Sequence, residues 1–135
     1  MMFLDTSFLG ALFMPSDHWH KAARVCAERA RPPLITTDYV VLELADGLAR
    51  PDWRPTVARI HEALKRNPDV RIISQSPQLF ERGLQLYQSR VDKHWSLTDC
   101  LSFVVKQDEG CSEALTADAH FVQAGFRALL REDSV

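Results

Sequence analysis

Four carboxylates in this chain stand where a short apolar run ends or a helix begins. Asp5 follows Phe3-Leu4, Glu43 lies inside Val40-Val41-Leu42-Glu43-Leu44, Asp99 closes Ser96-Leu97-Thr98-Asp99, and Asp118 ends Leu115-Thr116-Ala117-Asp118. Gathered in one pocket, four acids would repel one another unless a cation held them, and hard oxygen donors of this kind suit Mg2+ or Mn2+. Such an ion polarises a phosphodiester and lowers the pKa of a bound water into the nucleophilic range. One ion, or two about 3.5–4 Å apart, would serve, and no protein nucleophile is required. The residue types therefore point to a metal-dependent nuclease.

Most of the 18 acidic residues belong on solvated helix faces, so each of the four needs its own reason to differ. Asp5 and Asp118 fall just past predicted strands, where open parallel sheets bind their ligands. Glu43 shares a helix face with Tyr39, Val40 and Gly47, so it points into apolar company and needs a partner. Asp99 reads equally well as a first-turn acid complementing the helix dipole and as a ligand, with Trp95, Leu97 and Phe103 drawing it toward burial. Thr6 and Ser7, at the start of a helix, offer hydroxyls and backbone N–H groups that can fix a carboxylate or phosphate oxygen.

The elements that must position these groups follow from caps, breakers and apolar runs. Met2-Phe3-Leu4 predicts a buried strand, with Thr6 or Ser7 capping a helix over Phe8 to Phe13. A helix over His18 to Arg29 stops at Pro32-Pro33, and Leu34-Ile35-Thr36 is the second strand. Thr37 or Asp38 caps a helix to Ala49, Pro55 opens another to Lys65, and Val70 to Ile73 is the third strand. Helices over Pro77 to Ser89 and Thr98 to Lys106 follow, the latter capped by Ser96 or Thr98. Ala114-Leu115-Thr116 is a fourth strand, His120 to Gln123 a short helix, and Phe126 to Leu130 a fifth strand. Strands alternating with helices predict a mostly parallel sheet covered on both faces, in one domain spanning residues 1–135.

Composition narrows the function classes. A net charge of −2 gives no general attraction to nucleic acid, so phosphate binding must come from a local basic patch or a bound cation. Cys26, Cys100 and Cys111 are odd in number, lie in apolar surroundings and show no C-x-x-C spacing, which predicts reduced, buried thiols in a cytoplasmic protein. The apolar stretch Met1 to Met14 lacks a basic leader and carries Asp5, so it is read as part of the fold, with no membrane span anywhere.

Taken together, apolar-apolar-Asp-Thr-Ser at the N-terminus, an isolated Glu in an apolar helix, Ser-Leu-Thr-Asp opening a later helix and Leu-Thr-x-Asp-x-x-Phe near the end resemble the PIN domain. More narrowly the chain is similar to the VapC-type toxins of bacterial toxin–antitoxin pairs. The resemblance covers almost the whole chain. It implies a PIN-like three-layer α/β/α sandwich and a Mg2+- or Mn2+-dependent endoribonuclease that leaves a 5′-phosphate and a 3′-hydroxyl. It assigns Asp5, Glu43, Asp99 and Asp118 to the metal site, with Thr6, Ser7 and Ser96 supporting them. It also implies an RNA substrate, a cognate antitoxin that inhibits the enzyme, and a homodimer.

Other patterns carry less. His18 and His20 at i and i+2 point to different sides of a helix and are read as surface or capping residues rather than a zinc pair. His120 follows Asp118 closely enough to border the site, although a packed histidine is the simpler reading. Arg50, Arg54, Arg59, Lys65 and Arg66 form a basic stretch, and Lys93-His94-Trp95 offers either a base-stacking platform or a core tryptophan. Trp53, between Pro51 and Pro55, is a candidate for a protein interface. A haloacid-dehalogenase-like phosphatase would need a second acid at residue 7, which is Ser, and a response-regulator receiver would need an acidic pair before Asp5. The alternatives that remain are an RNA-processing nuclease of the same fold that is not a toxin, and a catalytically silent RNA- or protein-binding module.

Overall fold

Met2-Phe3-Leu4 carries no polar side chain, and all three residues are buried, so the strand they form lies in the interior of the sheet. The computed structural model describes residues 1–132. Its elements run β1 (Met2–Leu4), α1 (Thr6–Phe13), α2 (His20–Arg29), β2 (Leu34–Thr37), α3 (Asp38–Gly47), a 3-10 turn at Pro51–Trp53, and α4 (Arg54–Arg66). They continue as β3 (Val70–Ile73), α5 (Pro77–Ser89), α6 (Leu97–Glu109), β4 (Glu113–Leu115), α7 (Ala119–Gln123), β5 (Arg127–Ala128) and α8 (Leu129–Glu132). The strand order is β3-β2-β1-β4-β5, with every pairing parallel, and helices flank the sheet. The predicted mostly parallel α/β/α architecture is thus all parallel.

Because the strands run the same way, their C-terminal ends share one edge. Phe3 pairs with Ile35 on one side and Ala114 on the other, so the residues following β1 and β4 emerge side by side. Asp5 N donates to Leu115 O at 3.2 Å and carries the ladder one step past β1. Thr36 Oγ1 donates to Leu4 O at 2.8 Å, tying β2 to the same end of β1.

Local chemistry sets the helix starts. Thr37 Oγ1 accepts from Val40 N and Ser76 Oγ accepts from Leu79 N, the usual satisfaction of orphan N–H groups. Ser96 and Asp99 form a reciprocal capping box at α6, and Gly110 ends that helix at φ 66°, a conformation glycine adopts without penalty. α2 starts at His20 instead of His18, because Asp17 Oδ1 accepts from Trp19 N and holds residues 17–19 in a turn. Phe126 to Leu130 is not one strand: β5 is two residues long and turns into α8, where Leu130 N donates to Thr116 O. A short buried apolar run does not distinguish strand from helix by periodicity.

The core is continuous from the sheet into α6 and α7. The Phe103 ring meets Trp95 and Phe121 edge-on, each at 5.0 Å, and Phe121 also packs on Phe3 at 6.3 Å. This aromatic chain locks the two helices whose N-termini carry Asp99 and Asp118. Lys106 is wholly buried, donating from Nζ to Glu113 O at 2.7 Å with its ammonium 4.6 Å from the centre of the Phe126 ring. Burial pushes its amine down to about 8. Cys26, Cys100 and Cys111 are free and buried. No helix among the described residues is long and apolar enough to cross a membrane.

Candidate metal centre

Asp5 stands at the N-cap of α1 without a side-chain capping bond, although aspartate is among the best capping residues. Its carboxylate turns to β4 instead. Thr116 Oγ1 donates to Asp5 Oδ2 at 2.6 Å and Ser7 Oγ donates to the same oxygen at 3.2 Å. Thr116 Oγ1 also accepts from Asp118 N at 3.0 Å, so one hydroxyl links two of the acids. Ser7 Oγ in turn accepts from Ala117 N at 3.0 Å, which pins the loop after β4 to the start of α1.

Glu43 lies in the second turn of α3, which α1 packs against. It is half-buried, and Thr6 Oγ1 donates to its Oε1 at 2.6 Å. Asp99 Oδ2 accepts from Ser96 N at 3.1 Å within the capping box and lies 2.9 Å from His120 Nδ1. Asp118 caps α7, its Oδ1 accepting from His120 N at 2.8 Å. These contacts gather on one oxygen of each carboxylate: Oδ2 of Asp5, Oε1 of Glu43, Oδ2 of Asp99 and Oδ1 of Asp118. The second oxygen of each is left without those partners.

The four predicted acids converge from β1, α3, α6 and the turn after β4, and they feel one another. Burial pushes the Asp5 carboxyl up to about 7 against the pull of Thr116 and the Thr6 backbone, and the charges of Glu43 and Asp99 raise it further. Glu43 is raised by burial and then by Asp99 and Asp118, despite its bond from Thr6. Asp99 is raised by burial and by Asp118, against the lowering effect of His120 and Ser96. A cation would relieve all of these at once. Among the described residues, Asp99, Asp118 and His120 can bring one ligand atom each within 4.8 Å of one another, and Asp5 and Glu43 border that group. A carboxylate-rich, oxygen-donor pocket of this kind fits Mg2+ or Mn2+.

Thr6, Ser7 and Ser96, the predicted supporting residues, each touch one of the acids or, in the case of Ser96, cap its helix. Sequence reasoning does not single out Thr116, and it sets a site-bordering reading of His120 second to a packed one. Thr116 reads as an ordinary strand residue, but β4 ends at Leu115 and leaves the hydroxyl free to bond across to Asp5. His120 reads as a packed histidine, yet its ring lies against Asp99 and 3.4 Å from Asp118 Oδ1. The signal available for both was their place within two residues of Asp118.

The weaker patterns resolve differently. Trp95 is buried, donates from Nε1 to Gln123 Oε1 and lies under the Arg90 guanidinium, so it is a core residue and not a stacking platform. His20 Nδ1 bonds Ala11 O at 2.7 Å while His18 packs on Trp19, so the two serve local structure. In the basic stretch, Lys65 and Arg66 pair with Glu62, and Arg50 stacks on the half-buried Trp53.

The PIN-domain family model matches residues 2–127. The chain belongs to the PIN-domain family. Within that family it is 29% identical over 127 residues to the 23S rRNA-specific endonuclease VapC20 of Mycobacterium tuberculosis, covering 93% of this chain and 95% of the relative. The crystal structure of that VapC20, a sarcin–ricin-loop-cleaving toxin, superposes with a TM-score of 0.86 at 25% identity over 93% of this chain and 96% of the other. FitAcB from Neisseria gonorrhoeae superposes with a TM-score of 0.64 at 18% identity, over 95% of each chain, a likeness of fold alone. The acid pocket lies inside the PIN-domain match, since all four acids fall between its ends.

Proposed function

We propose that this PIN-domain protein is a Mg2+- or Mn2+-dependent endoribonuclease that acts in the cytoplasm as the toxin of a type II toxin–antitoxin pair. The observation that carries the reading is the convergence of Asp5, Glu43, Asp99 and Asp118 at the C-terminal edge of the sheet, with Asp5 held at about 7. Similarity to VapC20 over most of both chains supports RNA as the substrate and ribosomal RNA as the first to try.

When bound, a divalent cation supplies Lewis-acid polarisation of the scissile phosphate and an activated water. The chain's own residues do the rest. Asp5, Glu43, Asp99 and Asp118 would hold the cation, and Thr6, Ser7 and Thr116 fix the Glu43 and Asp5 carboxylates by hydroxyl donation. Ser96 holds the start of α6 and hence Asp99. The products under this reading are a 5′-phosphate and a 3′-hydroxyl. The inhibiting partner is the cognate antitoxin, and the working assembly a homodimer.

The test is one strain and one tube. Expression of the chain alone should arrest growth and yield discretely cut 23S rRNA, and purified protein should make the same cut in Mg2+ or Mn2+ and stop in chelator. Cutting that survives chelation, or that persists in Asp99→Asn, would remove the mechanism. Cutting without growth arrest would leave the RNA-processing nuclease in place of the toxin.

A further inference from the structure

We infer that His120 is a positioning residue that straps Asp99 to Asp118 and so sets the spacing of the cation pocket; this rests on the metal-site reading above. The two acids belong to different elements, Asp99 to the first turn of α6 and Asp118 to the N-cap of α7. Both repel each other, and α7 is only five residues long, too short to hold itself in place through its own bonds.

His120 reaches both. Its backbone N–H donates to Asp118 Oδ1 at 2.8 Å, and its Nδ1 lies 2.9 Å from Asp99 Oδ2 and 3.4 Å from Asp118 Oδ1. An ionised carboxylate oxygen only accepts, so the imidazole tautomer that bonds an ionised Asp99 is the one with its proton on Nδ1. The next residue, Phe121, is fully buried against Phe103 and Phe3, which fixes the backbone from which the imidazole projects. With Ser96 N also on Asp99 Oδ2, nitrogen donors occupy Oδ2 of Asp99 and Oδ1 of Asp118. That leaves Asp99 Oδ1 and Asp118 Oδ2 as the oxygens available to a cation. Partners that orient ligating carboxylates in this way commonly change metal affinity 10- to 100-fold when removed.

The variants follow from the side-chain geometry. An asparagine amide nitrogen sits as many bonds from Cβ as Nδ1 does, so His120→Asn keeps a donor near Asp99, whereas His120→Ala removes it and retains the backbone bond to Asp118. Calorimetric titration of the full chain with Mn2+ should show affinity reduced about 10-fold or more in His120→Ala and close to wild type in His120→Asn. Pulsed electron paramagnetic resonance of Mn2+-loaded wild type should show no directly bound nitrogen. Equal Mn2+ affinity in His120→Ala and wild type would overturn the strap while leaving the metal site intact. So would equal loss in both variants, or a coordinated nitrogen in wild type, since each would make the imidazole a ligand. Wild type that takes up no Mn2+ would overturn the metal-site reading itself, and the strap with it.

Discussion

A single threonine hydroxyl, Thr116 Oγ1, shows how much stabilisation the acid pocket needs, for it serves Asp5 and Asp118 together and still leaves Asp5 near neutral pH in its titration. The consequence for stability has a definite sign. In the cation-free protein Asp5 titrates at about 7 against 3.8 in the unfolded chain, so between those values the folded state holds a proton that the unfolded state has released. The Asp5 contribution is therefore fully present below about pH 4 and lost as pH rises through 7, with Glu43 and Asp99 adding loss of the same sign. The Asp5 contribution is at most about 4 kcal/mol, given its rise from 3.8 to about 7. Asp5→Asn keeps an acceptor for Thr116 and removes the charge. Denaturant unfolding in chelator between pH 4 and 8 should show wild type losing stability with pH and Asp5→Asn losing distinctly less; parallel curves would mean that Asp5 is not strained.

At the scale of elements, α6 is the part on which the site depends most, and its seat is tight. α5 packs against it through Gly83, where a Cβ would come within 2.6 Å of Leu101 Cγ and 3.3 Å of Leu101 Cα. Leu101 is two residues from Asp99, so a displacement there moves a candidate ligand. Gly83→Ala should cost about 1–3 kcal/mol by overpacking despite alanine's better helix propensity, read as a lower urea midpoint with an unchanged slope. An unchanged midpoint would show that α5 yields without cost. The order of elements was legible because short apolar runs and caps such as Ser76 and Ser96 mark their own boundaries. The split of Phe126 to Leu130 into β5 and α8 was not, because that buried run has no period of its own. Lys106 was equally invisible: nothing in Val104-Val105-Lys106 tells that the lysine turns inward to the Glu113 carbonyl.

Across the whole molecule, the acids were readable because each follows a strand or lies in an apolar helix, and parallel topology then brings Asp5 and Asp118 to one edge. The groups that restrain them, Thr116 and His120, depend on distances between segments over 100 and about 20 residues apart, which local pattern does not encode. A net charge of −2 with a cluster of raised carboxylates leaves the fold strained without a counter-ion and poised to gain from one. The most direct measurement is thermal melting of wild type and Asp5→Asn in chelator and in Mn2+. At about 100 times the dissociation constant, binding to the folded state adds ~2.7 kcal/mol, or roughly 10 °C for a chain of this size. Wild type should gain that shift, Asp5→Asn much less of it, and Asp5→Asn should melt no lower than wild type in chelator. Wild type that melts at one temperature with or without Mn2+, together with Asp5→Asn that melts sharply lower in chelator, would make Asp5 a structural hydrogen-bonding residue and contradict the metal centre.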